Sequence, residues 1–336
     1  MRALPKERLD LIDALLAEGE LRGITAAILE KDEHLTDALK ALLSLTYPGL
    51  RLVFCGGSSL SKAHGLIERM SEDADLKVVL DPTTSLLSGN QLRQRLSALR
   101  EHVETTLTGI ELVQERQHAK SLNNNHYMHS QWTYARNYQS ADGLRPNLQI
   151  ELTTRTPVLP TDRRTVTYLA DRLAGQTHNE FVVETVCIAE TLAEKVLSFL
   201  RRFAQHRAGA MTRDWDTALV RHIHDVHCIH LNDPLVIEDA APAFAALVAG
   251  DQAAFGRQHP EFSQDAISVL TTALSKVKVD AQTHREYERN LLPLLYGNSH
   301  PNFEEAFTSF ELVATQLIAT LCEEDELIET PGESLG

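Results

Sequence analysis

Residues 56–80 read GGSSLSKAHGLIERMSEDADLKVVL. The run RLVFC (51–55) before them predicts a short strand leading into Gly56-Gly57, residues that accept turn conformations other residues resist. Helical spacing over SSLSKAHGLIERM (58–70) predicts a helix of about four turns, closed by Ser71-Glu72, and ADLKVVL (74–80) predicts a second strand. A strand that ends in Gly-Gly-Ser-Ser and opens a helix gathers backbone N–H groups, two hydroxyls and the positive end of a helix dipole, which suits a phosphate. Asp73 and Asp75, two apart on extended chain, point to one face, where their mutual repulsion calls for a cation. Hard divalent ions such as Mg²⁺ take one or two protein carboxylates and complete their shell with phosphate oxygens and water. A phosphate cradle beside an Asp-x-Asp metal seat is the equipment of nucleotidyl transfer. Each half alone has a plainer reading, a simple turn and a solvated strand cap. It is the ordered combination that carries the expectation. The stretch is not a Walker A loop, because Gly-x-x-x-x-Gly-Lys-Ser/Thr is absent around Lys62.

The rest of the chain bounds what that stretch belongs to. At 336 residues and 43% hydrophobic it supports one large or two medium domains with a proper core. Cys55, Cys187, Cys228 and Cys322 lie far apart with no Cys-x-x-Cys, so neither a disulfide framework nor a Cys-based zinc site is expected, and a reducing cytoplasm fits. The first residues are charged and helical, without the apolar core of a signal peptide, and no apolar run approaches the ~18 residues of a membrane span, so a membrane partner is not expected. The net charge of -15 is unevenly spread. Residues 301–336 hold nine acidic side chains and no Lys or Arg, whereas Lys195 to His230 carries Lys195, Arg201, Arg202, Arg207, Arg213 and Arg221 against three aspartates. A local basic face binds phosphate despite global acidity, although a solvated helix face explains the same residues.

LDLIDALLAE and TAAILEKDEHLTDALKALLSL show apolar residues at i, i+3, i+4 and i+7 and read as amphipathic helices. GIELVQER, HSQWTYARN and NLQIELTT read as further strands. From about residue 186 the pattern is helical. The expectation is an α+β protein: a nucleotidyltransferase core with N-terminal helices over 1–185, built on a small mixed sheet, a helical C-terminal domain over 186–322, and an acidic, Gly/Pro-punctuated, disordered tail over 323–336.

The motif resembles the AbiEii/AbiGii nucleotidyltransferase toxins, the MenT-type toxins of type IV toxin–antitoxin systems, within the polymerase-beta-like superfamily. Members read Gly-Gly-Thr/Ser-x-Leu-Ser-Lys and then Arg-x-Ser-x-Asp-x-Asp-Leu. Gly56, Gly57, Ser58, Ser59, Ser61, Lys62, Arg69, Ser71, Asp73, Asp75 and Leu76 match, and Ala74 replaces a larger aliphatic. Upstream, Glu30, Lys31 and Asp32 match a Glu-Lys-Asp-aromatic helix, with Glu33-His34 in place of the aromatic. Downstream, AETLAEKVLSFLRR resembles the family's Glu-Lys helix and places Lys195 on its functional lysine, while RHIHDVH places Asp225 on the last aspartate of a second motif and His222 on its first. LLPLLYGNSHPNFEEAF is similar, more loosely, to the C-terminal region. The resemblance implies a polymerase-beta-like core. It also implies Gly56, Gly57, Ser58, Ser59, Lys62 and Arg69 as nucleotide contacts, Asp73 and Asp75 as metal and catalytic carboxylates, and Lys195 and Asp225 as further catalytic residues.

Read without the family, Lys195 is a snorkelling surface charge and Asp225 an i, i-4 partner of Arg221. For Asp225, the roles of general base, metal support and Lys195 partner stay open. Glu151 lies on an apolar-alternating strand, where a lone charge is costly unless it meets a metal or a partner, so it is a third metal-site candidate; a solvated face with Gln149 and Thr153 is the alternative. His224 with Cys228 at i, i+4 and His227 with His230 at i, i+3 have spacings compatible with zinc on a helix, whereas the resemblance to a family whose catalysis uses Mg²⁺ implies RNA phosphate or a wet groove for these histidines. KSLNNNHYMHSQWTYARNY reads as a hairpin with Trp132 and Tyr134 packed cross-strand, or as a stacking surface for an unpaired nucleotide.

The expected function is transfer of a nucleoside monophosphate from an NTP to a hydroxyl with Mg²⁺ or Mn²⁺. The resemblance implies the 3' end of tRNA as acceptor, blocked translation as the result and a cognate antitoxin as partner. The alternatives are transfer to a protein or small-molecule hydroxyl, and a non-catalytic nucleotide- or partner-binding module.

Overall fold

The computed structural model describes residues 1–19, 21, 23–139, 143–211 and 215–329, the last seven of these as backbone only. The chain forms two compact units, Met1–Cys187 with Leu294–His300, and Ile188–Pro293 with the chain from Pro301 onward.

The first unit is an α+β layer structure. Its strands are β1 (Leu50–Cys55), β2 (Asp73–Leu80), β3 (Val113–Gln114), β4 (Lys120–Leu122), β5 (Tyr127–Thr133), β6 (Leu148–Thr154), β7 (Asp162–Val166) and β8 (Phe181–Thr185). They form one mixed sheet in the order β3-β5-β6-β2-β1-β8-β7, with β4 paired to β5. The β1/β8 and β2/β6 pairs are parallel and the others antiparallel. The helices are α1 (Lys6–Glu18), α2 (Ala26–Leu43), α3 (Gly56–Lys62), α4 (Pro82–Ser85), α5 (Gly89–Gly109) and α6 (Leu169–Leu173). Alternation along the strands sends Leu52, Phe54, Ala74, Leu76, Val78, Ile150, Leu152, Met128 and Trp132 to one face, where they pack with Leu35, Leu39, Leu96 and Val103 of α2 and α5. The residues between them, Asp73, Asp75, Glu151 and their neighbours, therefore lie on the opposite face.

The helix expected over 58–70 stops at Lys62. Gly65 takes φ +66°, and the Leu66 N–H closes the turn on the Leu60 carbonyl. The chain then runs extended because 68–70 pair with 294–296: Met70 N–H donates to Leu294 O at 2.8 Å and Tyr296 N–H to Glu68 O at 2.9 Å. Only two residues of GIELVQER form a strand, since α5 runs on to Gly109 and Glu111 turns the chain at φ 65°.

The second unit is helical: α7 (Ile188–Arg207), α8 (Arg221–Asn232), α9 (Val236–Phe255), α10 (Pro260–Gln264), α11 (Ala266–Val277), α12 (Ala281–Asn290) and α13 (Phe303–Glu329). An aromatic ladder of Phe199, Phe203, Phe303, Phe307 and Phe310 runs through its core. The acidic segment expected to be disordered from residue 323 is helical backbone to Glu329, and 330–336 lie outside the described residues. Among the described residues no helix is long and apolar enough to cross a membrane.

Candidate active site

Strand register assembles the site. Asp75 is paired with Cys55 on β1 and Glu151 on β6, Glu151 with His129 on β5, and His129 with Lys120 on β4. Registered residues share a face, so Lys120, His129, Glu151, Asp75 and Cys55 form one row across the sheet, with Asp73 beside Gln149 in the adjoining row. Glu151 is thereby brought next to Asp75, and the Tyr127 hydroxyl donates to its Oε2 at 2.9 Å. Asp73, Asp75 and Glu151 are partly exposed, whereas Lys77, next along β2 on the same face, is buried. The carboxylates thus sit at the open end of a strand whose other end is covered.

The two glycines are set by the second half of the motif. Gly56 has φ +76°, and a Cβ there would stand 2.1 Å from Oδ2 of Asp75. A Cβ on Gly57 would stand 2.5 Å from a guanidinium nitrogen of Arg69 and 3.1 Å from Ser71 Oγ. Arg69 is buried and donates to the Met70 carbonyl at 3.1 Å. The serine hydroxyls point inward: Ser58 Oγ bonds Ser71 Oγ at 2.8 Å and donates to the Asp73 carbonyl, and Ser59 Oγ donates to the Gly56 carbonyl at 2.9 Å. Lys62 donates to Asp32 Oδ1 at 2.5 Å and to Thr36 Oγ1 at 2.6 Å. Turn and strand are therefore one packed unit, in which the hydroxyls and Lys62 hold the architecture that presents Asp73 and Asp75.

A polar chain running from Lys31 of the Glu-Lys-Asp helix through Glu72 to Arg145 supports Asp73. Lys31 of α2 pairs with Glu72 at 2.9 Å, both side chains fully buried. Burial pushes the Lys31 ammonium down, and Glu72 opposes that shift. The same pair binds the backbone of Arg145, whose N–H donates to Glu72 Oε1 at 2.6 Å and whose carbonyl accepts from Lys31 at 2.9 Å. The Arg145 guanidinium then donates to both oxygens of Asp73, at 2.9 and 3.3 Å. No periodicity singles out residue 145; only the parallel β2/β6 register brings the chain before β6 to the start of β2. The neighbouring Glu30 carboxylate accepts from the Asn137 amide at 2.7 Å, so α2 ties down the chain after β5 as well.

In the second unit, Lys195 of α7 pairs with Asp225 of α8 at 2.7 Å, with side chains 7% and 0% exposed. Asp225 is thus a partner of Lys195, and His224 Nδ1 approaches it at 3.4 Å. His222 Nδ1 lies 3.2 Å from the Lys195 carbonyl, and burial with the adjacent ammonium holds its imidazole well below the usual range, hence neutral. Cys228 Sγ contacts His224 at 3.6 Å. Among the described residues no three or more His, Cys, Asp or Glu side chains converge as a ready-made metal cage.

The chain resembles solved structures along most of its length. MenT4, a nucleotidyltransferase toxin from Mycobacterium tuberculosis, is 16% identical over 93% of this chain and 99% of its own, with a TM-score of 0.45. JHP933 from Helicobacter pylori is 13% identical over 91% and 97%, with a TM-score of 0.42, and a further H. pylori structure, described as a nucleotidyltransferase, is 14% identical over 92% and 100%, with a TM-score of 0.40. None of the curated proteins matches significantly. The model of the nucleotidyl transferase AbiEii toxin family, type IV toxin–antitoxin system, matches residues 37–309. That match runs from α2 through the glycine turn, the Asp-x-Asp strand and the Lys195–Asp225 pair into α13, and the chain belongs to the AbiEii nucleotidyltransferase toxin family.

Proposed function

We propose that this nucleotidyltransferase uses Mg²⁺ or Mn²⁺ to move a nucleoside monophosphate from an NTP to a hydroxyl at the 3' end of tRNA, and that a cognate antitoxin restrains it. The observation that carries the reading is the pair Asp73 and Asp75 on one strand face, with Glu151 in register and a glycine turn shaped around Asp75. All three donors are hard carboxylate oxygens, and an ion of this class needs only one or two of them beside phosphate oxygens, so the residues fit it. When bound, such an ion neutralises phosphate charge and lowers the pKa of the attacking hydroxyl.

The chain's own residues set the stage for that transfer. The acceptor oxygen forms a bond to the α-phosphorus, the bond from that phosphorus to pyrophosphate breaks, and the hydroxyl proton passes to a carboxylate of the row. Tyr127, donating to one oxygen of Glu151, orients that carboxylate. In the helical unit Asp225 positions the Lys195 ammonium, and a phosphate role for that ammonium rests on family membership. The tRNA acceptor and the antitoxin rest on family membership alone.

The test is incubation with α-labelled NTPs, Mg²⁺ and a mixture of tRNA, protein and small-molecule acceptors. Label on tRNA, lost with Asp75→Ala, is the expected result. Label confined to protein or small molecules would replace the acceptor, and NTP binding without turnover would replace the catalytic reading.

A further inference from the structure

Arg145 is anchored by its main chain and employed by its side chain. Its N–H and carbonyl are both taken by the Lys31–Glu72 pair, at 2.6 and 2.9 Å, and that pair is fully buried. A buried ion pair is costly unless further hydrogen bonds complete it; here one such bond from each partner goes to the backbone of the same residue, so the pair fixes where residue 145 stands. From that anchor the guanidinium reaches both oxygens of Asp73 at 2.9 and 3.3 Å, with side chains 32% and 29% exposed. An ion pair so open to water adds little stability. What the anchor secures is the position of a cation on Asp73.

We infer that Arg145 is a positioning residue that holds Asp73 in the nucleotide-free chain and makes uptake of the divalent ion depend on nucleotide. The inference rests on Asp73 as an ion ligand in the function proposed above. A guanidinium and a divalent ion compete for the same two oxygens and repel each other, so the ion alone binds poorly. A triphosphate changes the balance by offering the guanidinium oxygens for bidentate pairing while bringing the ion with it. Arg145 thereby exchanges one anionic partner for another as metal and nucleotide arrive together. The backbone anchor stays in place throughout, since neither of its bonds involves the guanidinium.

The test is titration of the full chain with Mn²⁺ without nucleotide, following free Mn²⁺ by electron paramagnetic resonance, and then again with a non-hydrolysable NTP. Arg145→Gln keeps the backbone anchor; it should bind Mn²⁺ without nucleotide about tenfold more tightly than the unmodified chain, with a smaller gain on adding the NTP analogue. Arg145→Lys, a cation without the planar fork, should fall between them. A cooperatively folded Arg145→Gln chain that binds Mn²⁺ no more tightly than the unmodified chain would overturn the inference. Asp73→Asn in the Arg145→Gln background separates the role of Arg145 from that of Asp73. Unchanged Mn²⁺ binding there would remove Asp73 as a ligand and with it the reading on which Arg145 depends, whereas lost binding would leave that reading standing.

Discussion

Oδ2 of Asp75 stands 2.1 Å from where a Cβ on residue 56 would be, so the first glycine of the turn and the second aspartate of the strand occupy each other's space. Gly56→Ala therefore meets both a clash and a left-handed φ of +76°. It should displace Asp75, lower nucleotidyl transfer by about 100-fold, as a roughly 1 Å misplacement does, and destabilise the chain. Gly65 provides the control. It has φ +66°, and among the described residues nothing lies within 4 Å of the place a Cβ would take, so Gly65→Ala should cost about 1 kcal/mol of strain and leave transfer intact. Equal losses of activity in the two variants would contradict the packing argument.

The Lys31–Glu72 pair has no exposure to water, so removing one partner leaves a bare buried charge. Glu72→Gln or Lys31→Met alone should destabilise the fold by about 3–5 kcal/mol in urea melts. The double variant should lose less than the sum, with the shortfall reporting the coupling. Additive losses would show that each side chain acts through other contacts.

His34 and Glu33 give the fold opposite responses to pH. His34 is fully buried, stacked on Tyr134 at 4.1 Å, and among the described residues neither ring nitrogen has a hydrogen-bond partner. Burial, assisted by Arg2, takes its pKa from 6.5 to about 3, so the unfolded chain binds a proton that the native chain refuses, and this contribution is lost as pH falls below 6.5. Burial raises the Glu33 carboxyl from 4.5 to about 7 against the pull of Arg8, so its contribution is lost as pH rises across that window. Between 4.5 and 6.5 the two slopes oppose each other. His34→Phe removes one of them: relative to the unmodified chain it should gain about 2 kcal/mol more at pH 5 than at pH 7.5. A difference independent of pH would mean that His34 does not stay neutral in the native state.

Lys195 and Asp225 are buried together, so stability and function must be separated there. Asp225→Asn should cost about 3–5 kcal/mol. Pairing Lys195→Met with Asp225→Leu should restore most of that stability while transfer stays abolished. Recovery of transfer in the double variant would reduce the pair to a structural role.

Much of the candidate site lies within one continuous stretch, and the local geometry of that stretch was legible. Gly-Gly before a helix and Asp-x-Asp opening a strand are local patterns, and the alternation of NLQIELTT places Glu151 opposite its apolar neighbours. Contacts made across long separations were not legible. The extended course of 66–72 depends on pairing with 294–296, and helical spacing cannot reveal a partner so distant in sequence. Arg145 lies in a segment without periodicity and gains meaning only through β2/β6 register and the Lys31–Glu72 anchor. The inward turn of the Ser58 and Ser59 hydroxyls follows from a helix only seven residues long, whose first turn packs against Ser71 and the start of β2. The ring of His34 shows what its place on α2 requires, an aromatic plane against Tyr134 rather than a charge.

The proposed function stands or falls with Asp75, seated in the glycine turn, as a carboxylate that nucleotide transfer cannot do without. It is tested most directly by comparing the full chain with Asp75→Asn, an isosteric change that keeps the contact with Gly56, in labelled NTP, Mg²⁺ and tRNA. Label should appear on the RNA 3' end with the unmodified chain and fall by about 1,000-fold or more with the variant, both melting cooperatively. Label undiminished in Asp75→Asn, or absent from every acceptor with the folded unmodified chain, would contradict it.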